Sequence, residues 1–251
     1  MNPEPQTSRR DFLKTSSTAV IGGALVSEIG FPNILSAAAS AGKLRFGLID
    51  CGGRGNGAAV NALSADSHTV LHAVADVYAT KIESGLREIR NEIKDDARVD
   101  VPSERRFVGL DAYEKVLNSG VDLVLLTTPP GFRPLHFKAA VAAGKHCFLE
   151  KPVATDATGV RSVRATAQEA RKKGQGVQSG FCWRANVSRR EFFKRVHDGA
   201  IGDVRGLYHT YLTGPVKPMP PASNRPAGMS DVEWQVRNWY NFVWLSGDGL
   251  V

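Results

Sequence analysis

The sequence predicts an α/β fold built on a doubly wound parallel sheet, followed from about residue 181 by the opening of an α+β domain that the chain leaves incomplete. Three observations carry this reading. Short apolar runs alternate with amphipathic helical stretches from Lys43 to about residue 180. The first run, Leu44–Ile49, leads directly into Asp50-Cys51-Gly52-Gly53-Arg54-Gly55-Asn56-Gly57, and Asp76 follows about twenty residues later. Residues 121–127 carry the near-continuous apolar run expected of a central strand covered on both faces.

The elements follow in order. Leu44–Ile49 is a first strand, residues 56–63 a helix and residues 68–76 a second strand. Ile82, Leu86, Ile89 and Ile93 recur at helical spacing, which gives a long helix with one buried stripe. Arg106–Val108 is a short third strand. Residues 111–118 read as a helix opened by Asp111. After the fourth strand, residues 134–143 form a helix that Gly144 ends, and His146–Leu149 is a fifth strand. Residues 158–173 make another helix and residues 176–181 a sixth strand. Beyond them, 191–196 looks helical and 204–213 reads as one long strand. A proline-rich loop at 215–226 follows, and then an aromatic stretch with Trp234, Trp239, Tyr240, Phe242 and Trp244. The strands needed to pair the long one do not follow, so the second domain is expected to be truncated.

The glycine loop has a chemistry. A strand, a glycine-rich turn, a helix start and an acid at the end of the next strand are the parts of a dinucleotide-binding βαβ unit. Glycines let the backbone approach a diphosphate, helix N–H groups receive its charge, and the acid binds ribose hydroxyls. Gly52, Gly53, Arg54, Gly55 and Asp76 are the candidate cofactor-binding residues here. One position departs from G-x-G-x-x-G: Asp50 stands where the tight-turn glycine belongs, bringing a β-carbon and a negative charge toward the diphosphate. A register starting at Gly53 also satisfies the relaxed pattern, but it begins too far from the strand end. Weakened cofactor binding relative to a glycine-bearing chain is the expectation.

Composition narrows the class. With 251 residues, 42% hydrophobic and 23% charged, the chain is neither disordered nor a multi-span membrane protein. The net charge of +7 comes from scattered Lys and Arg without an aromatic or Arg-rich recognition motif. Solvated helix faces explain it better than a nucleic-acid surface. Cys51, Cys147 and Cys182 show no metal-ligand spacing and read as buried structural thiols rather than a disulfide framework. No metal site is expected.

The N-terminus reads as an address. Ser8-Arg9-Arg10-Asp11-Phe12-Leu13-Lys14 resembles the twin-arginine export motif, a mildly apolar stretch over 18–31 follows, and small residues at 36–41 offer cleavage sites after Ala39 or Ala41. The alternative is an amphipathic helix packed on the fold. This route exports folded proteins, which suits a chain that acquires its nucleotide before export. Residues 1–41 carry three basic and three acidic side chains, so removing them leaves the charge at +7. The expected location is periplasmic or otherwise exported, with the twin-arginine machinery as a partner.

Three further segments lie at strand ends: Thr127-Thr128-Pro129-Pro130 with His136 after the fourth strand, Glu150-Lys151-Pro152 after the fifth, and Gly180-Phe181-Cys182-Trp183-Arg184 after the sixth. With the glycine loop, they resemble the Gfo/Idh/MocA oxidoreductases, which include glucose–fructose oxidoreductase and inositol dehydrogenases, and in particular the secreted twin-arginine members. The resemblance implies a Rossmann domain over 43–180 that binds NAD, with NADP as the alternative. It also implies a substrate and oligomerisation domain from 181, and hydride transfer to or from a carbinol carbon of a sugar or polyol. Lys151 inherits by position the lysine that lies between nicotinamide and substrate. Thr128 and Pro129 would line the nicotinamide side, with Glu150 beside them. The bland reading of Glu150 and Lys151 is a surface ion pair before a turn proline.

His136 is equally natural as a packing or capping residue. Arg184 contacts substrate or cofactor, or simply pairs with an acid. The tryptophans stack on a sugar or pack in a core. Asp76 favours NAD by repelling a 2′-phosphate, although Lys81 is near. The family's acid–base Asp and His would fall beyond Val251, so this polypeptide is expected to be poorly active on its own. Two other functions stay open: hydrolysis or elimination of glycosides through transient oxidation by bound NAD, and nucleotide or sugar binding without turnover.

Overall fold

The computed structural model describes residues 42–247 other than 213 and 215, so the predicted export signal lies outside the described residues. Strands β1 (Leu44–Ile49), β2 (Thr69–Asp76), β3 (Arg106–Val108), β4 (Leu123–Leu126), β5 (His146–Leu149) and β6 (Val177–Ser179) form one parallel sheet. Its order is β3-β2-β1-β4-β5-β6. Helices α1 (Gly53–Ala65), α2 (Ala79–Ile93), α3 (Ala112–Leu117), α4 (Arg133–Ala142) and α5 (Ala157–Lys172) connect the strands. The chain leaves β3 at one edge and restarts beside β1 with β4, and that reversal opens a crevice at the carboxyl ends of β1 and β4.

Alternation along β1 shows why the sheet is covered on both faces. Phe46 and Leu48 point into one core, with Leu63 of α1 and Ile82, Leu86 and Ile89 of α2. Ile49 points into the other, with Val116 of α3 and Phe137 and Val141 of α4. Residues of both cores are essentially sealed from solvent. Full burial of side chains of this size stabilises by about 1.5–3 kcal/mol each. The predicted stripe of α2 is therefore real, with Ile93 only partly buried at its end. Gly47 lets α3 close onto β1, because a Cβ there would lie 2.4 Å from Val116 Cγ1.

Local chemistry sets several boundaries. The Asp156 side chain accepts from Gly159 N–H at 2.6 Å and opens α5. Gly144, at φ +77°, follows the end of α4 as the sequence predicts. Asp111 precedes α3, but its side chain accepts no capping hydrogen bond and its backbone is already helical; the expectation that it opens this helix by capping is corrected.

After β6 come α6 (Cys182–Ala185), α7 (Val187–His197), α8 (Asp231–Arg237) and α9 (Val243–Ser246). The helix predicted at 191–196 lies inside α7, whose start is capped by Asn186 accepting from Arg189 N–H at 2.9 Å. The long strand predicted at 204–213 is not there: residues 204–212 form no strand and are exposed. Leu207, Tyr208 and Leu212 stand more than nine-tenths exposed or close to it. An isolated extended segment has no ladder to receive its amides and no second layer to cover its apolar side chains. Among the described residues no strand follows Ser179, so the α+β character expected of this part is not met by them.

Ser230 and Glu233 form a reciprocal capping box at α8. Residues 230–247 then pack on the sheet domain, with Tyr78 Oη donating to Glu233 O at 2.6 Å and Gly131 N–H donating to Leu245 O at 2.9 Å. All three cysteines are free; Cys51 and Cys147 are buried as the sequence reading has them, whereas Cys182 is exposed on the short α6, which corrects its reading as a buried thiol. Among the described residues no helix is long and apolar enough to cross a membrane and no acidic, His or Cys cluster has the makings of a metal site.

Candidate functional site: a groove at the carboxyl ends of the strands

A cavity of about 300 Å³ lies where β1, β2 and β4 end. Its floor comes from Asp50 and Gly52 after β1, Asp76 closing β2, and Thr128 and Pro129 after β4. Each is placed by the sheet: parallel strands deliver their following loops to one edge, beside the N-terminus of α1.

The turn after β1 is tight. Asp50 adopts φ +85°, the left-handed region that a glycine normally fills, so the sequence expectation about this position holds geometrically. Its Oδ1 accepts from Gly52 N–H at 2.8 Å. Gly55 closes the turn against β1 and β4, since a Cβ there would sit 2.0 Å from Asp50 O and 2.8 Å from Thr127 Oγ1. Gly53 opens α1 with free space about it, and the first-turn amides of Gly53, Arg54 and Gly55 are the orphan donors of that helix.

Asp76 uses both oxygens on the backbone. Oδ2 accepts from Cys51 N–H at 2.8 Å and Oδ1 from Tyr78 N–H at 2.9 Å, which fixes the carboxylate at the groove wall with lone pairs to spare. Burial raises the affinity of Asp76 for its proton against the pull of those amides and Lys81. Burial lifts Asp50 further, to about 7, with the Asp76 charge adding to it; the Gly52 amide, Arg133 and Lys81 oppose the rise. The same burial holds the Cys51 thiol protonated, with both aspartates reinforcing it.

The predicted residues do not all meet. Gly52, Asp76, Thr128, Pro129 and His136 line the groove. His136 is buried between Tyr113, whose ring centroid is 4.2 Å away, and Phe132 at 5.8 Å, and its Nδ1 lies 3.2 Å from Thr128 Oγ1. Burial, helped by the Arg133 charge, lowers its pKa to about 4. It therefore packs the Thr128 loop as a neutral ring. Arg54 turns toward Glu150 instead of into the groove, donating from Nε to Oε1 at 2.6 Å. Glu150 is buried and also accepts from the Lys151 N–H at 3.0 Å. In place of the Glu150–Lys151 surface pair stands a pair between buried Glu150 and half-exposed Arg54.

Lys151 itself is exposed. Arg184 is exposed on α6, and it lines no part of the groove; nor do Gly53, Gly55, Glu150 and Lys151. Among the tryptophans, Trp234 is buried, Trp244 packs edge-on against Phe132, and Trp239 reaches the groove.

Sequence reasoning missed Arg133. It is fully buried at the first position of α4, donating from Nη2 to Thr128 O and from Nη1 to Pro152 O. It thus ties the loop after β4 to the loop after β5, which carries Lys151. Burial lowers its pKa to about 10, with Glu150 and Asp50 holding its charge in place. A signal was available: a cation at a helix N-terminus faces the positive end of the macrodipole and needs a reason to be there. Tyr78, Tyr113, Lys217, Val236 and Arg237 also line the groove and were also missed.

The arrangement fits a dinucleotide. Orphan amides stand at the first turn of α1, a fixed carboxylate lines the groove where a ribose would lie, and the mostly apolar groove reaches Thr128 and Pro129 after β4.

Comparison with known proteins agrees. Residues 44–181 match the Gfo/Idh/MocA family, described as an oxidoreductase family with an NAD-binding Rossmann fold. A glycosyl hydrolase family 109 protein of Streptomyces coelicolor is 30% identical over 234 residues, covering 84% of this chain and 46% of that protein. An inositol 2-dehydrogenase of Acidiphilium cryptum is 36% identical over 107 residues, or 42% of this chain and 30% of that one. In fold, the chain is similar to scyllo-inositol dehydrogenase from Lactobacillus casei, solved with bound NAD(H) and scyllo-inositol. That likeness has a TM-score of 0.51 and 24% identity, covering 64% of this chain and 43% of that one. The chain thus spans less than half the length of these relatives. With the strand order, the crevice and the sequence match in agreement, the chain belongs to the Gfo/Idh/MocA oxidoreductase family and carries its NAD-binding Rossmann fold.

Proposed function

We propose that the protein moves hydride between NAD(P) and a carbinol carbon of a sugar or polyol. The observation that supports this most is the joining, through buried Arg133, of the Thr128–Pro129 loop to the Lys151–Pro152 loop beside the groove that Asp76 closes. Bound NAD(P) supplies the hydride acceptor or donor. Asp76 orients the adenosine ribose, the amides of α1 hold the diphosphate, and Thr128 and Pro129 wall the nicotinamide end. Lys151, exposed at the neighbouring loop, takes the proton of the substrate hydroxyl. In the same reading the protein is exported by the twin-arginine pathway under the address at Ser8–Lys14 and works as a homo-oligomer.

A second reading is glycoside hydrolysis or elimination with bound NAD recycled in each turnover, supported by the similarity to the glycosyl hydrolase family 109 protein over most of the chain. Absorbance at 340 nm with a panel of inositols, hexoses and aryl glycosides separates the two. Dehydrogenase activity accumulates NADH in step with product, whereas the hydrolase releases aglycone without net NADH. Binding of NAD without either signal would leave a nucleotide-binding role and refute both. Loss of export after Arg9→Lys with Arg10→Lys tests the address.

A further inference from the structure

The loop after β1 presents its amides to acids of its own chain. Cys51 N–H is taken by Asp76 Oδ2 at 2.8 Å and the next amide, Gly52 N–H, by Asp50 Oδ1 at 2.8 Å. Asp76 serves a ribose from that position. Asp50 has no such use, because its carboxylate lies at the N-terminal end of α1, where the diphosphate must lie if Gly52–Gly55 cradle it.

Two like charges cannot share that end of the helix cheaply in a partly buried groove. Charged groups from every surrounding element act on Asp50. Asp76 at the end of β2 opposes its ionisation, while Lys81 of α2, Arg133 of α4 and the Gly52 amide favour it; the Cys51 thiol beside it stays neutral. Burial is the largest influence and, with the Asp76 charge adding to it, lifts the carboxyl to about 7 rather than near 3.8.

We propose that Asp50 is a built-in competitor for the diphosphate subsite, so that the dinucleotide binds the form in which Asp50 carries a proton, and binding draws a proton from solvent for each molecule whose Asp50 was ionised. This inference rests on the nucleotide reading above and adds a pH-dependent affinity to it. Glycine in place of Asp50 would leave the Gly52 amide free and remove the coupling.

The test is titration of the purified full chain with NAD, followed by calorimetry, at pH 6 and pH 8 in buffers of two different ionisation enthalpies. If only the protonated fraction binds, the wild-type Kd rises about tenfold from pH 6 to pH 8, and at pH 7 the buffer dependence reports uptake of about half a proton or more. Asp50→Asn and Asp50→Gly should each bind at both pH values with the same Kd within about twofold, and with no proton uptake; two variants guard against one that fails to fold. A wild-type Kd that does not change with pH, or a slope that persists in both variants, overturns the role of Asp50 while leaving the nucleotide site standing. Absence of binding at either pH in all three proteins overturns the nucleotide reading itself.

Discussion

Substitution of Gly55 by alanine tests whether the glycine loop is held by close backbone approach. The new Cβ would lie 2.0 Å from Asp50 O, 3.1 Å from Asp50 C and 2.8 Å from Thr127 Oγ1, the first of these about 1.5 Å short of a normal separation. None of these atoms is the free end of a flexible side chain. The single Thr127 hydroxyl is shared between Ile49 O at 2.8 Å and Asp50 O at 3.0 Å, so a retreat of the Asp50 carbonyl disturbs the contact between the ends of β1 and β4.

Overpacking of this kind costs about 1–3 kcal/mol, and loss of the Thr127 bond about 1 kcal/mol more. At about 2–4 °C per kcal/mol for a domain of this size, Tm falls on the order of 10 °C. Gly57→Ala is the matched control, because its Cβ would meet only Arg54 Nη1 at 3.5 Å, an ordinary contact. Inside α1 that change gains about 1 kcal/mol of helix propensity. Scanning calorimetry of both variants at pH 7 decides the matter. Equal shifts, or a Gly55→Ala protein melting with the wild type, would refute the close-approach argument.

Other perturbations follow from the same groove. The Asp50 carboxyl binds its proton more tightly folded than unfolded, so stability falls as pH rises from 3.8 to about 7, by up to about 4 kcal/mol in all; urea midpoints of Asp50→Asn should lose that slope and exceed wild type at pH 8. His136 has the opposite sign, for its folded pKa lies at about 4, below the ordinary 6.5. The unfolded chain takes the proton first, so about 3 kcal/mol is lost as pH falls from 6.5 to 4, and His136→Phe, which keeps the stack on Tyr113, should flatten that window. Arg133→Met leaves Thr128 O and Pro152 O without their buried donor and should cost roughly 2–5 kcal/mol in urea denaturation; a cost under 1 kcal/mol would mean that the two loops hold themselves.

Much of this was legible in the residues because the signals were local and mutually consistent. β1, β3 and β5 fall at their predicted bounds, since each is an apolar run between turn signals with no competing period. The acid at the end of β2 and the glycines after β1 mark the groove, because a diphosphate site needs backbone and charge more than it needs particular side chains. The segment 204–212 was misread for a related reason. Its Val, Leu and Tyr residues have strand propensity, but a strand exists only through a partner, and the described residues offer none.

Arg133 shows the limit most clearly. In the sequence it is one arginine among many, ahead of a proline at a helix start; in the fold it is buried, bridges two carbonyls, and balances Glu150 and Asp50. Asp50 and Arg133 are also two places where the chain breaks a local rule, an acid at a left-handed turn position and a cation at a helix N-terminus. Each oddity supplies part of the other's compensation, because the guanidinium helps to hold the carboxylate charge that the turn brings to the groove. A change at either residue should therefore move the titration of the other. Arg133→Met would raise the Asp50 pKa above 7 and shift the pH at which NAD affinity declines upward with it. An unmoved pH profile in a folded Arg133→Met protein would show the two to be independent.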